Sequence, residues 1–150
     1  MAKPPPPDHP FWKLWEAGTR VNIALFRATR GRVGGSLGKA RILLLHHTGR
    51  RSGEHRVSPL IYLADGDDVV IVASKGGVDK HPAWFHNLMA MDSTEVELPG
   101  RERRRVRPRV AEGDERERLW ERLVAMYKPY ASYATYTERR IPVVVLERAA

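Results

Sequence analysis

Between two apolar runs the chain reads Thr48-Gly49-Arg50-Arg51-Ser52-Gly53-Glu54-His55-Arg56. Two glycines free the backbone there, and three arginines supply donor forks that match the oxygens of a phosphate, so the chemistry on offer is anion binding. The same residues would equally serve as a hairpin loop with solvated charge. A second glycine-plus-cation stretch, Ala73-Ser74-Lys75-Gly76-Gly77, follows an apolar run and precedes Pro82-Ala83-Trp84, where a helix can begin. Free amides at such a start also attract anions, and two loops of this kind at strand ends favour an anionic cofactor. Tyr127, Tyr130, Tyr133 and Tyr136 recur at every third position, which keeps the phenols roughly on one side of a helical turn. They suit either a pocket for a flat ligand or a packed core.

Other chemistries lack their residues. Gly38-Lys39 has Val33 where a phosphate loop needs its first glycine and Ala40 where it needs Ser or Thr. No G-x-G-x-x-G follows a strand, and no G-x-S-x-G elbow is present. His46 and His47 are neighbours on a strand and point to opposite faces, while His81 and His86 have a poor helical spacing for one metal. Without cysteine, a thiolate nucleophile, disulfides and iron–sulfur clusters are excluded. Arg101, Arg103, Arg105, Arg107 and Arg109 share one strand face; they read as a nucleic-acid stripe or as an edge strand blunted by charge. No aromatics interleave them, which counts against base stacking.

The elements that must position these residues follow from periodicity. Proline-rich residues 1–9 read as an extended arm, and Pro10 opens an amphipathic helix with Phe11, Leu14, Trp15, Val21 and Leu25 on one face. A glycine-rich connection, Gly31–Lys39, closes an N-terminal unit of residues 10–40. From residue 41 to 150 strands dominate: Arg41–His47, Val57–Leu63, Val69–Ala73, Thr94–Leu98, Arg101–Val110 and Val143–Leu146. Asp65-Gly66 and Pro99-Gly100 mark hairpins. Short helices begin at Pro82 and at Asp114, the latter with Glu117 as a capping-box partner and with Pro129 at its end. The pattern is α+β, with about six mostly antiparallel strands in a barrel or rolled sheet.

With 150 residues, 42% hydrophobic and 29% charged, the chain fits one globular domain with a real core, and its formal net charge of +8 asks for an anionic partner. No run of about 18 apolar residues spans a membrane, and MAKPPPPDHP lacks the apolar centre of a secretory signal, so a cytoplasmic location is expected.

Three stretches in order, LLLHHTGRRSGEHRVSPLIY, ASKGG with HPAWFHN, and MYKPYASYATYTERRIPVVV, together resemble the deazaflavin-dependent nitroreductase family over about residues 37 to 147. The resemblance implies a split β-barrel, an N-terminal helix and hydride transfer from reduced coenzyme F-420, with that cofactor ahead of FMN. It implies that Gly49, Arg50, Arg51, Ser52, Gly53 and Arg56 hold the cofactor phosphate. Pro59, Ala73, Ser74, Lys75, Gly76, Gly77, Pro82, Ala83, Trp84 and Asn87 would lie beside the rest of it. It also implies that Tyr130, aided by Tyr133 and Ser74, donates to the substrate. His46-His47 in place of threonines, Ile61-Tyr62, and Tyr136 where tryptophan can occur are departures, and they bear on the substrate side. The acceptor implied is a small electron-poor molecule: a quinone, an enone or a nitro-heterocycle. A non-catalytic deazaflavin carrier and a basic nucleic-acid module are the competing readings. The N-terminal helix either rests on a membrane surface, closes over the site, or packs on its own barrel.

Overall fold

The computed structural model describes residues 6, 9–32, 35–37, 40–74, 81–100, 102–137 and 139–149, with the side chains of residues 12, 15, 16, 36 and 37 left out. Helix α1 (Phe11–Ala28) leads into β1 (Ser36–Leu37), β2 (Ala40–Thr48), β3 (His55–Asp65) and β4 (Asp68–Val72). Then come α2 (Ala83–Met89), β5 (Thr94–Leu98), β6 (Glu102–Val110), α3 (Gly113–Met126), α4 (Pro129–Thr135) and β7 (Val143–Arg148). The sheet order is β1-β2-β3-β4-β7-β6-β5, every pairing is antiparallel, and β2 also pairs with β5 through Leu44↔Glu97 and Leu45↔Val96. That last ladder closes six strands into a barrel.

Alternation along the strands builds two cores. Leu43, Leu45, Val69, Ile71, Val96, Val106, Val144 and Leu146 point inward, and α2 adds Trp84 and Leu88 to them. The opposite positions, Val70, Val72, Val143 and Val145, pack against Leu119 and Leu123 of α3 and Tyr130 of α4. Strands β4 and β7 are thus covered on both sides, which is why their sequences are unbroken apolar runs.

Four expectations need correction. Pro129 does not merely end the third helix; it occupies the first turn of a fourth, where its missing N–H costs nothing. Helix α3 starts at Gly113 with Glu112 in the capping position and no side-chain cap, so the Asp114–Glu117 box does not form. Strand β6 is not an edge, because it lies between β5 and β7. On α1, the buried or half-buried residues are Thr19, Asn22, Ile23 and Phe26, while Phe11, Leu14, Val21 and Leu25 face outward.

The end of α1 is fastened rather than loosely linked. Arg27 forks onto Glu97 at 2.9 and 3.3 Å, and the Arg30 carbonyl accepts the Gly100 amide at 2.8 Å. Within the glycine-rich stretch, the Gly35 carbonyl accepts the Ile42 amide at 2.9 Å.

Candidate active site

The Gly49–Glu54 loop folds on itself. The Gly49 amide donates to the Glu54 carbonyl and the Gly53 amide to the Gly49 carbonyl, both at 2.8 Å, and Gly53 takes φ +71°, a conformation that favours glycine. A Cβ on Gly49 would meet Ser52 Oγ, so a larger residue there would displace that hydroxyl. The Ser52 hydroxyl is used locally, accepting the Glu54 amide at 3.2 Å. Arg50, Arg51 and Arg56 are exposed. Among the described residues the Arg50 and Arg51 guanidiniums have no partner, and Arg56 meets only the solvent-exposed Glu54 at 3.4 Å.

Asn87 fixes this loop from behind. Its Oδ1 accepts the Arg50 amide at 3.0 Å, so its Nδ2 must donate, and it does so to His47 Nδ1 at 3.1 Å. The His47 proton is therefore on Nε2, which donates to Ser58 Oγ at 2.9 Å. Burial lowers His47 to about 4, helped by the positive charge of Arg56, His55 and His46, which keeps the imidazole neutral as this network requires. His46 turns the other way, as strand alternation predicts: Nε2 meets Glu97 at 2.7 Å and Nδ1 meets His55 Nε2 at 2.8 Å. Burial pushes the Glu97 carboxyl up, but hydrogen bonds from Arg27 and His46 outweigh it and hold it below the usual range.

Ala73 and Ser74 are buried at the end of β4. Lys75, Gly76 and Gly77 lie outside the described residues. Pro82 caps α2, Ala83 is exposed, and Trp84 is buried among the inward-facing barrel residues. Pro59 is half-buried in β3, opposite Leu44. The tyrosines do cluster: ring centroids of Tyr127 and Tyr130 are 5.0 Å apart, and those of Tyr130 and Tyr133 are 6.2 Å apart. Tyr130 is only 4% exposed and sits against α3, whereas Tyr133 is half-buried with its hydroxyl 3.4 Å from that of Tyr127. Burial raises both phenols, then neighbouring tyrosines raise them further, so each keeps its proton.

Asn87 thus ties the loop to α2, and Arg139, which follows α4, donates to the Ala73 and Ser74 carbonyls at the end of β4 and meets His81 just before α2. A cavity of about 350 Å³ lies elsewhere, under the end of α1, lined by Phe26, Arg27, Arg30, Glu97, Leu98 and Arg103. Residues 18–148 match the protein family described as F420H(2)-dependent quinone reductase. The chain belongs to that family. An F420H(2)-dependent quinone reductase of Mycobacterium tuberculosis is 39% identical over 132 residues, covering 86% of this chain and 89% of that protein. A solved F420-H2 dependent reductase, FDR-A, is 39% identical, covers 71% of this chain and 93% of its own, and superposes with a TM-score of 0.65. A domain-swapped dimer at 34% identity covers 90% of this chain and 98% of its own, with a TM-score of 0.68. For a member of the quinone reductase family, the split β-barrel and N-terminal helix described above are the expected frame.

Reading the sequence missed three parts of this region. The roles of Glu97 and Arg27 depend on a contact across 70 residues, which no local pattern signals. His47 and Ser58 meet only through the β2–β3 register. Arg139 stood within the quoted ERRIP stretch, and its adjacency to the tyrosines was the available hint.

Proposed function

We propose that this chain transfers a hydride from reduced coenzyme F-420 to a small electron-poor acceptor, with a quinone as the substrate class and enones or nitro-heterocycles as further acceptors. The observation that carries the reading is a pair of guanidiniums, without a partner among the described residues, on a self-closed glycine loop whose backbone is pinned by Asn87, in a chain of this family. Residues 41–150 form the cofactor-binding unit. Arg50, Arg51 and Arg56 with the Gly49, Ser52 and Gly53 backbone hold the phosphate. The backbone turn at Gly49–Glu54 and guanidiniums without a partner among the described residues fit such a group, since charge-assisted bonds need donors that no protein carboxylate already occupies. Pro59, Ala73, Ser74, Lys75, Gly76, Gly77, Pro82 and Ala83 flank the rest of the cofactor, while Trp84 and Asn87 hold its floor from inside the barrel.

The bound deazaflavin supplies the hydride, and the protein supplies orientation and a donor. As the acceptor gains negative charge, a hydroxyl fixed in advance stabilises it without reorganisation. Tyr130 and Tyr133, with Ser74, fill that role, Tyr133 from the more accessible position. Titrating the protein with coenzyme F-420 and following its fluorescence tests the cofactor; binding at micromolar concentrations or below is expected. Tyr130→Phe and Tyr133→Phe then separate the donors: the variant lacking the donor turns menadione over about 100-fold more slowly with cofactor affinity unchanged. Wild-type rates in both would remove the tyrosines from the mechanism.

The outward stripe of α1 supports a second part of the reading, a peripheral membrane contact on the cytoplasmic face. Leu14 is 78% and Val21 61% exposed, with Phe11 and Leu25 in line and Lys13 and Arg20 beside them. Apolar residues flanked by cations suit an anionic bilayer surface, where a lipid-soluble quinone resides. The protein is expected to pellet with anionic vesicles at low salt, and Leu14→Asp with Val21→Asp to stay in the supernatant. These changes spare Phe26 and Arg27, which are built into the barrel. Wild-type protein left in the supernatant as a dimer would assign the stripe to a second copy.

A further inference from the structure

Arg139 belongs to none of the residue sets above, yet its guanidinium reaches groups on two other segments. Nη1 donates to the Ala73 carbonyl at 3.1 Å and meets His81 Nδ1 at 2.9 Å, and Nη2 donates to the Ser74 carbonyl at 2.7 Å. Guanidinium has no acceptor, so His81 Nδ1 must offer a lone pair and the ring is neutral with its proton on Nε2. Burial, then the charge of Arg139, then His86 hold His81 below its ordinary value, in agreement with that tautomer. Among the described residues, Arg139 and His86 are the charged or titratable groups facing His81; Phe85 is the other ring against it, at 5.0 Å.

These contacts join separate segments. Ala73 and Ser74 end β4, His81 immediately precedes the Pro82 cap of α2, and Arg139 follows the tyrosine helix α4. We propose that Arg139 is a positioning residue that sets the tyrosine donors at a fixed distance from Ser74 and the start of α2. The inference rests on the cofactor reading above, because only a reaction between those segments needs their separation held. An arginine is required, since a planar fork can meet three acceptors at once and a lysine ammonium, a point charge on a flexible stem, cannot. Protonation of His81 would replace an acceptor with a second cation, so the clamp opens in acid. A misplacement of about 1 Å between reacting groups is enough to slow a hydride step substantially.

The test uses the full chain with coenzyme F-420 and menadione. In Arg139→Gln, kcat falls about tenfold to 100-fold while the Kd for F-420 stays within about threefold. The His81 imidazole, followed by NMR without cofactor, titrates at higher pH than in the wild type. The acid limb that the clamp gives the wild-type rate is absent from Arg139→Gln, and Arg139→Lys restores less than half of the lost rate. If Arg139→Gln fails to fold, His81→Gln decides: its amide oxygen still accepts from Arg139, so the neutral-pH rate persists and the acid limb disappears. An unchanged kcat in Arg139→Gln, or an acid limb retained in His81→Gln, overturns the role. Absence of F-420 binding by the wild type fails the cofactor reading first and takes this role with it, whereas wild-type binding with an unaffected variant refutes the role alone.

Discussion

Two arginine-rich regions of this barrel look alike in the sequence and differ in the fold. In the Gly49–Arg56 loop, the exposed Arg50 and Arg51 guanidiniums have no partner among the described residues. On β6, Arg103 pairs with Glu95 and Glu97, Arg104 with Glu102, and Arg109 forks onto Glu115 while also reaching Glu147. Arg105 donates to Ser93 Oγ at 3.1 Å. Arginine count therefore does not mark a site; two neighbouring guanidiniums without a described counter-charge on one folded-back glycine loop are the stronger sign. Of the β6 stripe, Arg103 and Arg109 are spent on neighbouring carboxylates and Arg105 on a hydroxyl, while Arg107 has no partner among the described residues, so the nucleic-acid reading is weakened at those three positions.

The sharpest way to break this contrast is to remove the loop's cations. Arg51→Ala with Arg56→Ala should lower coenzyme F-420 affinity on the order of 100-fold or more, since each charge-assisted bond contributes about 1.5–3 kcal/mol. A fluorescence titration matching the wild type would show that the phosphate is held elsewhere.

Acid separates the regions a second way. His47 has an ordinary value of 6.5 and is lowered to about 4 in the fold, so between those values the unfolded chain binds more protons. Its contribution is complete above about pH 6.5 and is lost as pH falls through about 4, which amounts to about 3 kcal/mol. The β6 pairs rest on Glu115 and Glu97, both held below the usual carboxylate range, so they persist until lower pH. Urea unfolding at pH 7, 5.5 and 4 should show stability falling in that window, and His47→Gln should flatten it. An equally steep loss in the variant would place the titrating group elsewhere.

The smallest effect is expected on β6. Arg103→Ala and Arg109→Ala should each change stability by less than about 1 kcal/mol, because exposed ion pairs contribute little, and should leave F-420 affinity within about twofold. A large loss of affinity in either would erase the distinction.

Much of the frame was legible because it is local. The runs Ile42–Leu45 and Val69–Val72 could only be buried strands, and the turn residues at Gly66 and Gly100 separated hairpins that the registers Asp65↔Asp68 and Leu98↔Glu102 realise. The three-residue repeat of tyrosines likewise produced a real ring cluster. What stayed hidden depends on closure. Whether β6 is an edge is decided by strands far from it in sequence, and Pro129 can stop one helix or start the next with equal local logic. Asn87 looked like a ligand contact, yet its amide is consumed by Arg50 and His47, a fact that exists only once α2 lies against β2.

Helix α1 is a beam clamped at one end. Phe26, Arg27 and Arg30 hold its last turn, while Leu14 lies about 20 Å away at about 1.5 Å per residue. A sideways load near Leu14 is therefore felt as torque at Arg27, and the carboxylate that resists it also holds His46, whose other nitrogen touches His55 at the root of the arginine loop. Mechanical stress on the exposed arm and the set of the anion loop have a support in common, Glu97.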